Sequence, residues 1–486
     1  MSIQTQIDRI KKDVEDVYTA LELKGLLPPT ADGKLDSLPG IVSEIEAGII
    51  YEQDQSVIDL VQRSAQTINN TSLNALGPYI AYKSDFTELR FAGVVSAGDY
   101  CFRESTSLTT VEMPSLTTAG SYLFYGCTAL QNVKFNSLET AGQYMFYQTN
   151  INSIDEDKFP VLKVLGPYSF ATDQSKISSI DHTKVITIGN YALLNNRYIT
   201  HWNLPNLTTI DDYGMQGVYH TNSSLGLTQY PLPSLVSIGN YGMASMTQVR
   251  TVSYPNLLRI GNYAFQSNTS LQTVDLPALT TMNAYAFTDC TSVSSFNLPL
   301  LTDIYDHAFN NCSNLYRISM PSLTNIRGGY LFTGASHLRY LAVPELVDAT
   351  LTSYSFSGSQ FMEIDAPKLA SLGTYTFNDC ANLYQFKTDA LSNIQNRAFS
   401  GSQALQKIWI PKEATVAGTS TSASYLPFYR CHHLKIFTDA EERPSTWGQY
   451  FNLVYSSNND SYRLPVQYNA TVEDYNAHKV LNANPF

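Results

Sequence analysis

Six cysteines, two adjacent histidines and one acidic run are the residues of this 486-residue chain with types suited to metal binding or nucleophilic chemistry. Cys101, Cys127, Cys290, Cys312, Cys380 and Cys431 include no Cys-x-x-Cys pair, the spacing a zinc cluster needs. Five of them stand three residues ahead of a leucine or valine, as in Cys127–Leu130 and Cys312–Leu315, so they share one phase of a recurring pattern and read as packing residues. Cys290 and Cys312 are one period apart, but side chains in the same phase point the same way, which argues against a disulfide. His432 and His433 adjoin Cys431, yet adjacent residues diverge and no further ligand is in register, so no metal site is expected. Asp155-Glu156-Asp157 reads as a solvated turn after a strand. No His-Glu-x-x-His, phosphate-binding loop, Gly-x-Ser-x-Gly or dinucleotide fingerprint occurs. The expectation is a chain with no catalytic residues and no cofactor.

The phase shared by the cysteines belongs to a repeat. A Pro-x-Leu anchor recurs at Leu116, Leu207, Leu235, Leu257, Leu279, Leu301, Leu323, Leu346 and Leu369, and Leu138, Leu162, Val185 and Leu391 fill the gaps. Successive anchors lie 22 to 24 residues apart, except the 28-residue step from Leu207 to Leu235. In the unit Leu271–Cys290, residues alternate around Val274 and Leu276 as in a short strand, and Pro277 ends it because proline cannot donate to a ladder. Leu279 and Met282 turn the chain inward, and Tyr285-Ala286-Phe287 supplies a second apolar row. One such unit cannot bury its own apolar side, whereas stacked neighbours share a continuous core. The tyrosine recurs from Tyr100 to Tyr375 as a ladder whose first role is structural.

Recognition chemistry falls at strand positions that the period leaves free, whose side chains face out of the sheet. Early in the array these are small or polar: Thr109, Thr110, Asn152, Ser153, Ser178, Ser179, Ser294, Ser295. From Leu315 onward the same rows carry Tyr316 and Arg317, Arg339 and Tyr340, Met362 and Glu363, Tyr384 and Gln385, then Lys407 and Trp409. Stacked in register, these make a stripe of aromatic and basic residues suited to sugar rings or a protein partner. The competing reading is that the C-terminal cap folds over the stripe. The insertion Gly217–Ser224, with Tyr219 at its centre, is a second candidate site, since insertions in solenoids become loops, often on the binding face.

The segments Ile260-Gly261-Asn262-Tyr263-Ala264-Phe265 and Ile238-Gly239-Asn240-Tyr241-Gly242-Met243, set in Leu-x-x-Val-x-Leu-Pro-x-Leu, resemble the BspA-like (treponemal-type) leucine-rich repeat. The resemblance implies a right-handed leucine-rich-repeat solenoid with one parallel β-sheet of about fifteen strands over residues 68–434. Residues 435–486 form a cap and tail, and Ile436–Trp447 resembles the terminal cap seen after such repeats. At the other end, Ile3, Ile7, Ile10, Val14, Val17 and Leu21 form a heptad seam for oligomerisation or docking in an anchor segment, residues 1–50. After Pro28-Pro29, Leu35–Ala47 reads as a second helix, and a linker helix, Val57 to Ile68 (segment 51–67), leads into the array. This leader resembles those of phage tail-associated and prophage proteins.

Composition narrows the function. Charged residues are only 15 % of the chain, tyrosines number 33 and the net charge is −12. A chain so poor in clustered Lys and Arg is not suited to wrapping nucleic acid. No apolar run reaches the roughly 20 residues of a membrane span, and Met1–Ile7 lacks the pattern of a secretory signal. Together with the resemblance of the repeats to a family of adhesive surfaces and of the leader to tail-associated proteins, this implies a non-enzymatic function: a receptor-binding protein of a phage tail or tailocin, made in the bacterial cytoplasm and carried on the virion. It would dock to other tail proteins through its N-terminal helices, form a homo-oligomer, and bind a host cell-surface glycan or protein without inserting in the membrane. A structural virion protein and a bacterial BspA-like surface adhesin are the alternatives.

Overall fold

The computed structural model describes residues 67–480 apart from 173–176, 220, 222–223, 225–226, 350–352 and 456–460. Over these residues the chain winds as a parallel β-solenoid of about fifteen turns. One turn shows how the sequence does this. Thr273–Asp275 is a strand whose middle residue, Val274, faces the core. After Pro277, the chain forms a second, shorter strand at Thr281–Met282, and Tyr285-Ala286-Phe287 returns it to the next turn. Val274, Leu276, Leu279, Met282, Ala286, Phe287 and Cys290 are all buried. Neighbouring turns align without slippage: Val274 stands between Val252 and Phe296.

The expected single sheet is replaced by two rows of parallel strands. The short Leu-x-x-Ile segments form an unbroken 13-stranded parallel sheet from Thr140–Ala141 to Thr415–Val416, preceded by a separate three-stranded group. The three-residue strands, expected to form the only sheet, divide into groups of three or four. A two-residue strand carries too little alternation to be read from sequence; its identity comes from the neighbours it pairs with. The first strand, Thr67–Asn70, also corrects the linker helix, which was expected to run to Ile68: Ile68 pairs with Leu89 and is buried in the first turn. The heptad seam from Ile3 to Leu21 and the helices expected over 35–47 and 57–66 lie outside the described residues.

The recurrent Ile-Gly-Asn-Tyr segment has a mechanical explanation. The Asn240 side chain accepts from the Asn262 backbone N–H at 2.8 Å, and Asn262 repeats the contact on Ala284 at 3.1 Å. A Cβ on Gly261 would sit 2.5 Å from the Asn240 nitrogen, so only glycine permits this approach. The tyrosines that follow stack from Tyr79 to Tyr375 with centroids 4.3 to 5.3 Å apart, His307 taking one place. All have left-handed backbones, with φ between 54° and 66°. That conformation costs an L-residue roughly 1–2 kcal/mol, and stacking on both neighbours offsets it at about 0.5–1.5 kcal/mol per pair. Tyr263→Ala, which loses the stack and keeps the strain, is therefore expected to be less stable than Tyr263→Gly by about 1 kcal/mol. Chemical denaturation of the two variants checks this, and a more stable alanine variant would refute it.

The solenoid rows continue beyond the expected boundary at 434. Lys435–Phe437 pairs with Lys407–Trp409, and Val466–Gln467 adds to its other side. Leu453–Tyr455 and Ser461–Arg463 form an antiparallel hairpin. Trp447 is buried and bridges to Val416, closing the end of the short-strand sheet. A helix, Val472–Ala477, is started by a capping box between Thr471 and Asp474.

Candidate recognition surface

The three-residue strands turn their middle residues inward and their first and third residues outward. Register places Arg317, Tyr340 and Glu363 in one outward column, and Ser319, Ala342 and Asp365 in another. Tyr316, Arg339 and Met362, which precede these strands, are joined turn to turn by backbone bonds of 2.8 and 2.9 Å and make a third column. Tyr316 is 60 % exposed, the most of any large hydrophobic residue in the described chain. Arg317 is exposed, with its guanidinium carbon 5.4 Å from the Tyr340 ring centre. The Arg339 guanidinium donates to the Ser336 and Leu338 carbonyls, which fixes its stem along the surface. Tyr340 is half-buried. Burial, and then the charges of Asp365 and Glu363, raise its phenol above the ordinary value, with Arg317 opposing. Tyr384 is half-buried in the column of Tyr316. A shallow polar depression of about 360 Å³, lined by Thr291, Ser292, Ser313, Asn314 and His337, lies just upstream of Tyr316 and Arg339 in the chain.

The other end of the stripe is not a free surface. Lys407 is 5 % exposed and Trp409 7 %. The C-terminal helix lies over both: the Lys407 ammonium donates to the Tyr475 and His478 carbonyls at 3.0 and 3.1 Å and sits 4.5 Å from the Tyr475 ring centre. Trp409 and Phe437 meet the same ring edge-on. Lys407 and Trp409 are thus cap contacts instead of ligand contacts, because the tail supplies the aromatic ring and acceptors that would otherwise come from outside. The cap reading describes this end of the stripe, and at the other end Tyr316 and Arg317 are exposed.

Tyr219 is half-buried, 5.4 Å from the Arg197 guanidinium, and far along the chain from the Tyr316 columns. The structure also shows an aromatic cluster that the sequence reading passed over. In the first turns the Arg103 guanidinium sits 5.0 to 6.0 Å from the rings of Tyr82, Tyr100 and Tyr125. Its signal was present three residues beyond the ladder positions, in Tyr82, Arg103, Tyr125 and Tyr147, but it spans only four turns.

Residues suited to chemistry are held by local contacts. All six cysteines are buried and unbridged, and burial pushes the Cys127 and Cys290 thiols up to about 12. The Asp155 carboxylate, although burial opposes it, is held below its ordinary value by Ser153 and Lys158. Glu156 is bonded to Thr183 of the next turn. Among the described residues no three His, Cys, Asp or Glu side chains converge in a group able to hold a metal ion, and no helix is long and apolar enough to cross a membrane.

A family model described as BspA type leucine rich repeat region (six copies) matches residues 95–222, 219–340 and 302–435. Among solved structures, a leucine-rich repeat protein from Bacteroides ovatus is 18 % identical, with 77 % of this chain and 91 % of that chain covered and a TM-score of 0.47. A leucine rich cell surface protein from Faecalibacterium prausnitzii is 15 % identical over 86 % of this chain and 91 % of that one, TM-score 0.27. The T. pallidum leucine rich repeat protein is 23 % identical over 32 % of this chain and 74 % of that one, TM-score 0.27. No curated protein matches the chain.

Proposed function

Because the chain belongs to the BspA-type leucine-rich-repeat family, matched through residues 95–435, we propose that it is a non-enzymatic adhesin that recognises a cell-surface component through its repeat sheet. The observation that carries this reading is the exposed group of Tyr316, Arg317, Arg339 and Tyr340 on three successive columns. Aromatic and arginine side chains dominate recognition energetics where they cluster, and elsewhere the strand rows offer mainly Ser, Thr and Asn. The resemblance to BspA-like proteins supports adhesion at a bacterial surface. A second carrier, a phage tail or tailocin acting at the host surface, is favoured by one specific observation: the heptad Ile3, Ile7, Ile10, Val14, Val17 and Leu21 in a leader that resembles tail-associated proteins. In either setting several copies on one particle or cell would turn weak sites into avidity.

The test is adsorption of labelled full-length protein to a panel of bacterial and host cells, beside a Tyr316→Ala/Arg317→Ala/Tyr340→Ala variant whose circular dichroism matches the parent. Saturable, cell-selective binding, reduced at least tenfold in the variant, is the expected result. Undiminished binding would move the site elsewhere, with Tyr219 and the Arg103 cluster next in line. No binding to any cell, even after oligomerisation, would favour a structural role.

A further inference from the structure

Four ionisable side chains share the exposed end of the stripe, and their charges balance. Arg317 and Arg339 are matched by Glu363 and Asp365, which register places in the outward columns headed by Arg317 and Ser319. Tyr340 stands between Arg317 and Glu363, so their strands lie two spacings apart, roughly 9–10 Å. Among the described residues neither the Arg317 guanidinium nor the Glu363 carboxylate makes an ion pair or a hydrogen bond. The first presents only donors and the second only acceptors. A ligand charged in either sense would meet a like charge on this face. An uncharged ligand rich in hydroxyls can use both groups, because each hydroxyl donates once and accepts twice.

The surroundings suit the rest of such a ligand. The Tyr316 ring is 60 % exposed and meets no other ring among the described residues, which leaves it open to the carbon-bound hydrogens of a sugar. Arg339 turns its guanidinium back on the Ser336 and Leu338 carbonyls, beside His337. His337 lines the depression of about 360 Å³ together with Thr291, Ser292, Ser313 and Asn314. Its wall is hydroxyl, amide and imidazole, with no carboxylate or lysine, and the Thr291 and Ser292 hydroxyls make no hydrogen bond among the described residues. The anchor side chain of a protein partner needs a closely packed, desolvated pocket, and this hollow is shallow and polar.

We propose that the Tyr316–Glu363 face binds an uncharged glycan of several sugars. One ring stacks on Tyr316, with hydroxyls held by Arg317 and Glu363 on one side and by the Thr291–His337 depression on the other. This rests on the recognition reading above and names its ligand class as a neutral glycan instead of a protein.

The probes are uncharged polysaccharides (dextran, mannan, galactan and chitin oligosaccharide), each cast into a native gel through which the full chain migrates. Saturable retardation by at least one of them is expected, weakened at least tenfold by Tyr316→Ala and by Glu363→Gln, each in a protein that keeps the parent's circular dichroism. Retardation by none of them overturns the proposal. Retardation that either substitution leaves unchanged also overturns it, since the glycan would then sit elsewhere on the chain. Cells that adsorb the protein supply a second arm. Adsorption is expected to be lost after periodate treatment and to change less than about twofold between roughly 0.05 and 0.5 M salt. Adsorption that survives periodate, or that falls steeply with salt, overturns the neutral-glycan proposal while leaving recognition intact. Retardation by a polysaccharide without adsorption to any cell leaves this proposal standing and removes the adhesin reading.

Discussion

Shortening Phe287 to alanine is expected to cost about 3–5 kcal/mol, the range for emptying a buried aromatic site. Phe287 is fully buried, with Phe265 at 4.9 Å on one side, Phe309 at 6.4 Å on the other, and Phe296 packed edge-on at 5.1 Å. A globular core could relax around the gap, but here the backbone bonds Phe265 to Ala286 and Phe287 to Ala308 hold the turns at fixed spacing. Stability in such an array is close to a sum of turn energies and nearest-neighbour couplings, so the cavity weakens the coupling on both sides of one turn. The variant is therefore expected to unfold in two stages, with proteolysis beginning near residue 287, where the parent unfolds in one. A single transition displaced by less than about 1 kcal/mol would show that the Phe row does not couple the turns.

Alkali is expected to bring the ladder down cooperatively. Burial, and then the neighbouring phenols, raise the ionisation of Tyr122, Tyr144, Tyr168, Tyr191, Tyr213, Tyr241 and Tyr285 above the ordinary value near 10. The sign follows from linkage: with the folded-state values raised, the neutral stack contributes stability fully below the unfolded value and loses it as pH climbs through the folded ones. Because each phenolate raises the cost of ionising the next within the stack, the remaining phenols ionise as the array unfolds, and the two losses coincide. Phenolate absorbance is expected to rise together with loss of the β-sheet circular dichroism, above pH 10. Tyrosines that ionise at their ordinary value while the fold stays intact would refute the account.

Much of this architecture was legible because it repeats. The anchor leucines, the inward Val274 and Phe287 and the shared phase of the cysteines all sit where the period put them. His307 and Arg397 were also legible in principle, since each precedes an Ala-Phe pair in the ladder phase, as Tyr263 and Tyr285 do. Two features were not. The left-handed backbone at the ladder tyrosines contradicts local preference and is stabilised only by the neighbouring turns. The covering of Lys407 and Trp409 depends on Tyr475, 68 residues further along than Lys407, and no periodicity links a capping segment to what it caps. Among the described residues, Tyr316 and Arg317 are exposed and the helix Val472–Ala477 packs on the later turns of Lys407 and Phe437.

The turn-to-turn bonds have a consequence for how such a chain changes length. The commonest separation of the side-chain contacts that tie one turn to the next is 22 residues, as in Asn240 to Asn262 and Asn262 to Ala284. A whole unit deleted or duplicated in the interior, such as residues 258–279, rejoins the backbone ladder and the Asn240 contact with equivalent partners. The capped terminus and the Tyr316 columns would be unchanged, and only the reach between them and the first turn, at Thr67–Asn70, would differ. The array behaves as an adjustable spacer, in which genetic drift in copy number alters distance before it alters recognition.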